Sequence, residues 1–501
     1  MKSNTGINNV NRETIMNLLP QCGHLLATLF NQSFESGMFP DVLKYTVVVP
    51  IPKVKGSNRA EEMRPVNTAC TIDKLLQTIV KIQLQEHIDR CNILYTYQSA
   101  YRQYHSCETA LNLLLIDWKE AKERKKVIVA VFLDFKRAFE TVNRKILYMI
   151  LQKYGVTGTA LQWFRSWLTN RKQFTRYGDR ISGERRNEFG VPQGTPLSCI
   201  MFLLYINSIA CVLKHCKISM FADDTLVWIE ANTVDEAIRL MNEDLSRISV
   251  FLKMLKLKLN TQKTKAMLFN ARQVGDDIRI DGEVIEKVQL IKYLGVMIDS
   301  YLSFAENINY ISKKVAKKVA LIGRLKKKTD RDTRLTLLKT LITPHFDFCS
   351  SILLLANEMQ FHQLQLLMNK ALRIIENADR RTHIHNMLES TDLLDVKQRV
   401  CYNVLMLIYR VQNRLLPEYI CRHFHQLCEV QPYHLRNNKL LRTPTYTTSN
   451  SQNSFKYRGA KMYNDMVQRS RIDASASELI YRNAIKKYVK DNVTAHRVIQ
   501  E

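Results

Sequence analysis

One stretch decides the fold of this chain: Phe221-Ala222-Asp223-Asp224-Thr225-Leu226-Val227-Trp228-Ile229, in which two adjacent aspartates separate two short apolar runs. The pattern predicts a β-hairpin, with Lys217 to Phe221 as one strand, the aspartates at the turn and Leu226 to Ile229 as the next strand. Adjacent carboxylates on a tight turn repel each other unless a cation lies between them. Because carboxylate oxygens bind hard divalent metals, the turn favours a metal site, although Asp-Asp pairs also occur at ordinary turns.

A third acid follows a second apolar run. Val127-Ile128-Val129-Ala130-Val131-Phe132-Leu133 is continuous and ends at Asp134, which predicts a fully buried strand that brings Asp134 to the end of a sheet. Three carboxylates on adjacent strands can hold two metal ions about 3.5–4 Å apart. Such ions activate an attacking 3′ hydroxyl and stabilise a pyrophosphate leaving group, so the pattern indicates polymerase chemistry.

The charge of the chain predicts a polyanionic partner. It has 501 residues, enough for two to four domains, with 74 Lys+Arg against 47 Asp+Glu and a net charge of +27. This excess is larger than solubility requires. Nucleic acid is therefore the partner that we expect.

Cysteine usage and hydropathy predict an intracellular protein, nuclear or cytoplasmic, that is not secreted and has no membrane partner. The eleven cysteines are odd in number and scattered, and Met1 to Thr5 contains no apolar signal core. Leu197 to Leu213 is the most apolar window, but it contains Asn207 and predicts a buried helix. The segment Cys421 to Cys428 has zinc-ligand residue types at a spacing that matches no standard finger, so zinc is the less favoured interpretation there.

Five segments follow one another in the order and spacing of the palm motifs of reverse transcriptases. They are Asp134-Phe135-Lys136-Arg137-Ala138-Phe139, Gly190-Val191-Pro192-Gln193-Gly194-Thr195-Pro196-Leu197-Ser198, Phe221-Ala222-Asp223-Asp224, Leu259-Asn260-Thr261-Gln262-Lys263-Thr264-Lys265 and Tyr293-Leu294-Gly295. The chain most resembles the reverse transcriptases of jockey-like non-LTR retrotransposons. Five ordered motifs are a strong indication.

The resemblance implies an α/β (α+β) right-hand polymerase with fingers, palm and thumb, plus a mainly helical C-terminal region. We expect residues 1–33 to be a helical lead-in and residues 34–300 to form the fingers and palm. The lead-in helix is predicted over residues 13–36, with an apolar stripe of Leu18, Leu19, Leu25, Leu26, Leu29 and Phe30. Residues 301–376 are expected to form a helical thumb that follows the duplex backbone, and residues 377–501 a basic helical region.

The resemblance also assigns catalytic roles. Asp134, Asp223 and Asp224 would bind two Mg²⁺ ions, with Mn²⁺ as a possible substitute. Lys263 resembles the lysine that assists pyrophosphate departure, and Lys265 is the competing candidate.

Other residues are expected to contact substrates. Arg102, in Gln98-Ser99-Ala100-Tyr101-Arg102, would contact the incoming triphosphate or template phosphates, and Gln193 and Gly194 would lie against the nucleotide or template. Phe139, predicted on a helix after Asp134, would be the steric gate against a 2′-hydroxyl, with core packing as the alternative. Tyr293, Leu294 and Gly295 would grip the primer end.

The leading hypothesis is an RNA-directed DNA polymerase that uses an RNA template, a DNA primer or target DNA, and dNTPs. An aromatic ring at Phe139 argues against an RNA polymerase. The alternative is a decayed or repurposed retroelement protein that only binds nucleic acid, because Glu140, Cys199 and Ser208 depart from the usual Asp, Pro and Asp of the family. About 45 residues precede the first fingers block, so we expect no endonuclease domain in this sequence. Two interpretations stay open: a truncated copy that needs an endonuclease in trans, or a fragment of a longer element protein.

Overall fold

The computed structural model describes residues 10–53, 56–57, 59–271, 275–379, 381–430 and 439–493. Within these ranges, no helix combines the length and the apolar character needed to cross a bilayer. The predicted buried helix at Leu197 is α6 (Pro196–Ile206), which continues as a 3₁₀ segment over Asn207–Val212.

The strands form two larger sheets and two small hairpins. They are β1 (Tyr45–Pro52), β2 (Met63–Ala69), β3 (Val127–Leu133), β4 (Arg171–Tyr177), β5 (Arg180–Ile181), β6 (Arg185–Asn187), β7 (Lys217–Phe221), β8 (Asp224–Ala231), β9 (Lys265–Phe269), β10 (Arg279–Ile280), β11 (Glu283–Val284), β12 (Glu286–Lys287), β13 (Leu290–Tyr293) and β14 (Val296–Asp299). One sheet has the order β12-β9-β3-β8-β7, and we call it the palm sheet. The other has the order β2-β1-β4-β5, with β6 also paired to β4, and we call it the fingers sheet.

Helices surround both sheets and make up most of the chain after β14. They are α1 (Arg12–Ser36), α2 (Thr71–Arg90), α3 (Cys107–Glu123), α4 (Arg144–Lys153), α5 (Gly158–Leu168), α6 (Pro196–Ile206), α7 (Val234–Met254), α8 (Ala305–Leu325), α9 (Arg331–Leu341), α10 (Pro344–Asp347), α11 (Ser350–Leu353), α12 (Glu358–Ile375), α13 (Ile384–Ser390), α14 (Val396–Gln412), α15 (Glu418–Cys421), α16 (Leu427–Val430), α17 (Ser449–Gln452), α18 (Phe455–Ser470) and α19 (Glu478–Asn492).

Strand β3 lies at the centre of the palm sheet, and all seven of its residues are buried. It pairs in antiparallel fashion with β8 on one side and β9 on the other. Alternate residues point to opposite faces, so Val129 and Val131 pack toward α6 and α7 whereas Ala130 packs toward α3. The prediction of a fully buried strand that ends at Asp134 is therefore confirmed.

The Asp-Asp hairpin forms as predicted, with one refinement. Phe221 pairs directly with Asp224, so Ala222 and Asp223 make the turn and Asp224 is the first residue of β8. Ala222 has a φ of 57°, a left-handed conformation that a residue with a Cβ rarely adopts. Helix α7, capped by the Thr233 side chain, packs against β3 and β8.

A buried ion pair joins the fingers sheet to α2. Arg171 of β4 and Asp73 of α2 lie 3.4 Å apart, and their side chains are 1% and 0% exposed. The Gln77 amide also donates to Asp73, and Arg171 donates to the carbonyl oxygen of Trp167. Because an unpaired charge is costly in a protein interior, each member of this pair requires the other.

The thumb and the C-terminal region share one hydrophobic cluster. It runs from Ile308 of α8 through Leu364 of α12 and Val404 of α14 to Ile485 of α19. The expected boundary between residues 376 and 377 therefore does not separate two cores. Tyr419 of this region reaches the palm side of the molecule, where its hydroxyl lies 2.8 Å from the Ser99 hydroxyl.

Helix α1 runs from Arg12 to Ser36, so the helix predicted over residues 13–36 is confirmed. Most of its predicted apolar stripe is not buried, because Leu18, Leu19, Leu25 and Leu29 are all exposed. Phe30 is buried and belongs to the core. Helical periodicity identified the helix but did not determine what would cover it.

Substitution of Arg171 by Met tests the fingers ion pair. It leaves the Asp73 carboxylate buried without its cation, so the free energy of unfolding should fall by about 3–5 kcal/mol. The matched control is Lys172→Met, which breaks the solvent-accessible pair of Lys172 with Glu184 and should cost less than about 1 kcal/mol. Urea unfolding followed by tryptophan fluorescence measures both changes; equal losses would contradict the assignment.

Candidate active site

The three predicted carboxylates meet at one end of the palm sheet. Leu133, the last residue of β3, lies opposite Thr225 of β8, so Asp134 and Asp224 occupy neighbouring strand ends. Asp134 and Asp223 line a cavity of about 410 Å³. The structure thus brings together acids that lie about 90 residues apart in sequence.

Burial and mutual repulsion raise the pKa values of Asp223 and Asp224. Burial raises the pKa of Asp223, and the negative charge of Asp134 raises it further. Burial, Asp223 and Asp134 together raise the pKa of Asp224 to about 6. Arg64 acts in the opposite direction on both aspartates. A carboxylate cluster with raised pKa values is one that a cation would stabilise.

The donor set therefore fits a divalent metal in its chemistry. Asp134 and Asp223 offer hard oxygen ligands in the cavity lining, and Asp224 is close enough to both for their charges to raise its pKa. The described residues nevertheless include no group of three or more Asp, Glu, His or Cys side chains that converges as a finished metal cage. The Cys421–Cys428 segment likewise contributes no such group among the described residues. Its Cys421 thiol donates a hydrogen bond to the Leu416 carbonyl oxygen.

The loop before β9 brings one of the two candidate lysines to the cavity. The backbone N–H of Asn260 donates to the Asp134 carbonyl at 2.8 Å, and the N–H of Asp134 donates to the Thr264 hydroxyl at 3.2 Å. Lys263, within this loop, lines the cavity. Lys265 does not, because its ammonium group bonds to Glu286 at the edge of the sheet.

Phe139 lines the cavity from a turn. Residues 134–143 form turns and a bridge, so the helix predicted here is wrong. The ring stacks on Phe202 of α6, with centroids 4.8 Å apart and an interplanar angle of 28°. Phe139 therefore packs against the core and also lines the cavity. Its role as a steric gate stays a prediction.

Gly190 explains why this turn forms. Its φ is 65°, and a Cβ at this position would lie 2.6 Å from the carbonyl oxygens of Phe139 and Glu140. The next residue, Val191, donates its N–H to the Phe139 carbonyl at 2.9 Å. The segment that carries Phe139 is thus held by close backbone contact that only glycine permits.

Gln193 and Gly194 join the cavity to the fingers sheet. Gln193 lines the cavity, and its carbonyl accepts a hydrogen bond of 2.7 Å from the N–H of Asn67 in β2. Gly194 has a φ of 101°, and a Cβ there would lie 3.1 Å from the Asn67 carbonyl oxygen. Gly194 thus allows a close backbone approach to β2, and its contact with the nucleotide or template stays a prediction.

Arg102 is not brought to the cavity. Its guanidinium donates to the carbonyl oxygens of Tyr95 and Gln98, at 3.2 and 3.1 Å. The structure therefore gives this arginine a supporting contact within its own loop. Contact of Arg102 with template or nucleotide phosphates stays a prediction.

The block around Gln98 supports the aspartate turn instead. The Gln98 side chain is fully buried, and its Oε1 accepts a hydrogen bond of 3.1 Å from the N–H of Ala222. Ser99 donates its N–H to the Met220 carbonyl at 2.8 Å. Sequence reasoning missed this role, because nothing local to Gln98 indicates contact with a hairpin more than 120 residues away.

The expected primer grip is a tight hairpin turn between β13 and β14. Leu294 and Gly295 have φ values of 44° and 85°. The side chains of Tyr293 and Leu294 are buried, and the Tyr293 ring packs on Phe132 of the palm sheet with centroids 5.2 Å apart. Primer contact by this turn stays a prediction, and it would involve the backbone more than these side chains.

Several cations in the cavity lining were not assigned from the sequence. They are Lys53, Arg64, Lys136 and Arg137. The adjacency of Lys136 and Arg137 to Asp134 was the available indication, and Lys53 stands in the basic turn after β1. Together with Lys263 they form a cationic wall in the cavity that Asp134 and Asp223 also line.

Three features together define a nucleotidyltransferase palm. They are a buried strand that ends in one acid, a neighbouring hairpin that carries two acids, and the cationic wall of the cavity. Residues 51–298 match the family model described as "Reverse transcriptase (RNA-dependent DNA polymerase)". These residues of the chain therefore form a reverse transcriptase domain.

The relatives are polymerases of non-LTR retrotransposons, as the motifs predicted. The chain is 24% identical over 412 residues to the probable RNA-directed DNA polymerase from transposon BS of Drosophila melanogaster. This alignment covers 77% of this chain and 45% of that protein. It is 23% identical over 392 residues to the RNA-directed DNA polymerase from mobile element jockey of the same organism, with coverage of 75% and 42%. The chain thus spans less than half the length of these relatives.

A solved structure of apo telomerase from Candida tropicalis aligns with 12% identity and a TM-score of 0.40, over 78% of this chain and 71% of that chain.

Substitution of Gly190 by Ala tests the backbone contact beside Phe139. The added Cβ collides with two carbonyl oxygens, so we expect a loss of about 1–3 kcal/mol in the free energy of unfolding and displacement of the Phe139 turn. Gly183→Ala is the matched control, since a Cβ there meets open space without a positive φ. Urea unfolding and the fluorescence of a nucleotide analogue bound in the cavity report the two effects; a Gly190→Ala protein as stable as the control would contradict this account.

Proposed function

We propose that this chain is an RNA-directed DNA polymerase that extends a primer 3′ end on an RNA template with dNTPs. The observation that carries the proposal is the meeting of Asp134 with Asp223 and Asp224 at the ends of β3 and β8, beside a cavity that Phe139 and Gln193 also line. The template RNA, the primer or target DNA and the dNTPs are the partners that this reaction requires.

The carboxylates of Asp134, Asp223 and Asp224 would hold divalent cations, which we propose to be two Mg²⁺ ions with Mn²⁺ as a substitute. Bound cations of this kind supply Lewis-acid stabilisation of the negative charge that develops during phosphoryl transfer. Burial, together with the negative charges of Asp223 and Asp134, raises the pKa of Asp224 to about 6. The contribution of the two neighbouring carboxylates supports the proposal, because a bound cation would relieve that repulsion.

The cationic wall would bind the triphosphate. Lys53, Arg64, Lys136 and Arg137 lie around the cavity that holds Asp134, so they face the region where the phosphates of a nucleotide would bind. Guanidinium and ammonium groups are suited to phosphate oxygens. Lys263 is the member of this wall that would donate a proton or a positive charge to the departing pyrophosphate.

Phe139 would select deoxyribonucleotides. Its ring is fixed on one side by Phe202 and exposed to the cavity on the other. A ring that cannot withdraw leaves no space for a 2′-hydroxyl, which is the atom that distinguishes ribonucleotides.

The alternative, a protein that only binds nucleic acid, has less support. Glu140 faces Arg137 at 3.9 Å and lines the cavity without replacing a carboxylate of the cluster. Ser208 lies 3.3 Å from the Tyr154 hydroxyl, on the 3₁₀ segment after α6. Glu140 and Ser208 thus make contacts with nearby side chains, and all three aspartates of the carboxylate cluster are present in the sequence. Nuclear or cytoplasmic residence, and an endonuclease that acts in trans, stay predictions.

Primer extension tests the proposal. We expect the purified chain, with Mg²⁺ and a DNA primer annealed to an RNA template, to extend the primer with dNTPs and not with rNTPs. Asp223→Asn, which preserves the side-chain shape but removes a charge, should lower extension at least 100-fold. A parent protein that extends no primer, or an Asp223→Asn variant as active as the parent, would contradict the proposal.

Substitution of two neighbouring lysines, Lys263 and Lys265, distinguishes a role in the departure of pyrophosphate from a general effect of positive charge. Lys263→Ala should lower the rate of single-nucleotide addition about 10- to 100-fold, because Lys263 lines the cavity. Lys265→Ala should change it less than about twofold, since Lys265 bonds to Glu286 outside the cavity. Rapid-quench measurement of one dNTP addition gives both rates, and equal effects of the two substitutions would remove Lys263 from this role.

A further inference from the structure

A loop between α2 and α3 lies directly against the hairpin that carries the aspartates. We call residues 95–106 the Gln98 loop. The N–H of Met220 donates to the Tyr97 carbonyl at 3.0 Å, and the N–H of Ser99 donates to the Met220 carbonyl at 2.8 Å. Strand β7, which contains Met220, is an edge strand of the palm sheet. The Gln98 loop therefore pairs with that edge beside the catalytic carboxylates.

The backbone of the Gln98 loop requires support from outside the loop. Tyr101 and Tyr104 have φ values of 56° and 65°. Both values lie in the left-handed region, which a residue with a Cβ keeps only where surrounding contacts impose it. The conformation of the loop, and with it the bonds to Met220, depends on those contacts.

The C-terminal region supplies one such contact through a buried hydroxyl. Tyr419 of α15 is 1% exposed. Its hydroxyl lies 2.8 Å from the Ser99 hydroxyl and 3.4 Å from the hydroxyl of Thr109, in the first turn of α3. Both partners are buried as well. One oxygen atom, 310 to 320 residues away in sequence, thus joins the Gln98 loop to α3.

The ring of Tyr419 adds two edge-on aromatic contacts. Its centroid lies 5.8 Å from that of Tyr97 and 5.6 Å from that of His105, at interplanar angles of 65° and 67°. Arg422, which follows α15, donates to the Tyr97 hydroxyl at 3.1 Å. Edge-on packing stabilises a ring independently of its hydroxyl. A phenylalanine at position 419 would therefore keep the ring contacts and lose only the hydrogen bonds.

Ser99 links Tyr419 to the aspartate turn. Its side chain meets Tyr419, and its backbone N–H bonds to Met220, two residues before Ala222. Removal of the Tyr419 hydroxyl leaves the buried Ser99 hydroxyl without its 2.8 Å partner. Because a buried polar group without a partner is unfavourable, the Gln98 loop would shift to satisfy it.

We propose that Tyr419 is a positioning residue of the active site. Its hydroxyl holds the Gln98 loop, and through that loop the turn formed by Ala222 and Asp223. It acts through Ser99 and Gln98, and not by contact with a substrate. Its effect on nucleotide addition rests on the proposed function, whereas its effect on the turn requires no catalysis.

Hydrogen–deuterium exchange in the full chain tests the structural part of the proposal. Tyr419→Phe removes a single oxygen atom. We expect the backbone amides of Met220 and Ala222, which donate to the Gln98 loop, to exchange about tenfold faster than in the parent. Mass spectrometry with electron-transfer fragmentation resolves these amides within residues 217–224.

Rapid-quench addition of one dNTP tests the effect on the reaction. We expect Tyr419→Phe to lower the maximal rate constant about 5- to 20-fold and to change the dNTP concentration for half-maximal rate less than about twofold. The reason is that the turn carries Asp223, whereas the cationic wall of the cavity lies outside the Gln98 loop. A loss of folded protein would instead lower the burst amplitude and leave the rate constant unchanged.

Tyr481→Phe is the matched control. Tyr481 is fully buried, and its hydroxyl donates to the Leu405 carbonyl at 3.2 Å within the C-terminal core. The substitution removes the same atom from an equally buried tyrosine of the same region. It should leave the exchange of Met220 and Ala222, and the rate constant, unchanged.

The outcomes separate the role of Tyr419 from the polymerase assignment. If Met220 and Ala222 exchange at the parental rate in Tyr419→Phe, or equally fast in Tyr481→Phe, the role of Tyr419 is overturned whatever the extension activity. A Tyr419→Phe protein with faster exchange that adds a nucleotide at the parental rate constant also overturns it. If the parent extends no primer while Tyr419→Phe alone speeds exchange, Tyr419 holds the turn as proposed and the polymerase proposal fails.

Discussion

The pairing of β3 with β8 is the constraint on which the catalytic cavity depends. Strand β3 is buried along its whole length, with α6 and α7 on one face and α3 on the other. A shift of one residue in register would move every side chain of the strand to the opposite face. The observed register sets Leu133 opposite Thr225 and thereby fixes Asp134 beside the turn that carries Asp223. The core thus specifies the position of the carboxylates.

Placing like charges together is unfavourable, and the surrounding structure offsets that cost. The Gln98 side chain, wholly buried, accepts from the Ala222 N–H and holds a turn whose φ is strained. Arg64 supplies positive charge to the aspartates from the fingers sheet, and the loop that carries Lys263 is bonded to the backbone of Asp134. Elements far apart in sequence therefore converge to maintain one charged cavity, which is the arrangement expected of a polymerase palm.

Much of the palm could be predicted from the sequence, because periodicity and end residues are local. The buried strand before Asp134, the aspartate hairpin and the buried helix that begins near Leu197 all formed as expected. What the sequence did not indicate has two causes. The turn at Phe139 depends on a long-range contact, because Gly190 packs against its carbonyl groups. Arg102 bonds to carbonyl oxygens of its own loop, a local contact that the motif does not specify. An apolar helical stripe indicates that something covers it without saying what, so neither the exposed face of α1 nor the core shared by thumb and C-terminal region was predictable.

The central claim is that the β3–β8 register creates a cation site from three carboxylates. Titration of Mn²⁺ followed by electron paramagnetic resonance tests it directly, with the chain bound to a chain-terminated primer on an RNA template and a matching dNTP. The account predicts fewer tightly bound ions in Asp134→Asn than in the parent, with nucleic-acid affinity retained. Equal numbers of bound Mn²⁺ ions in the two proteins would contradict it.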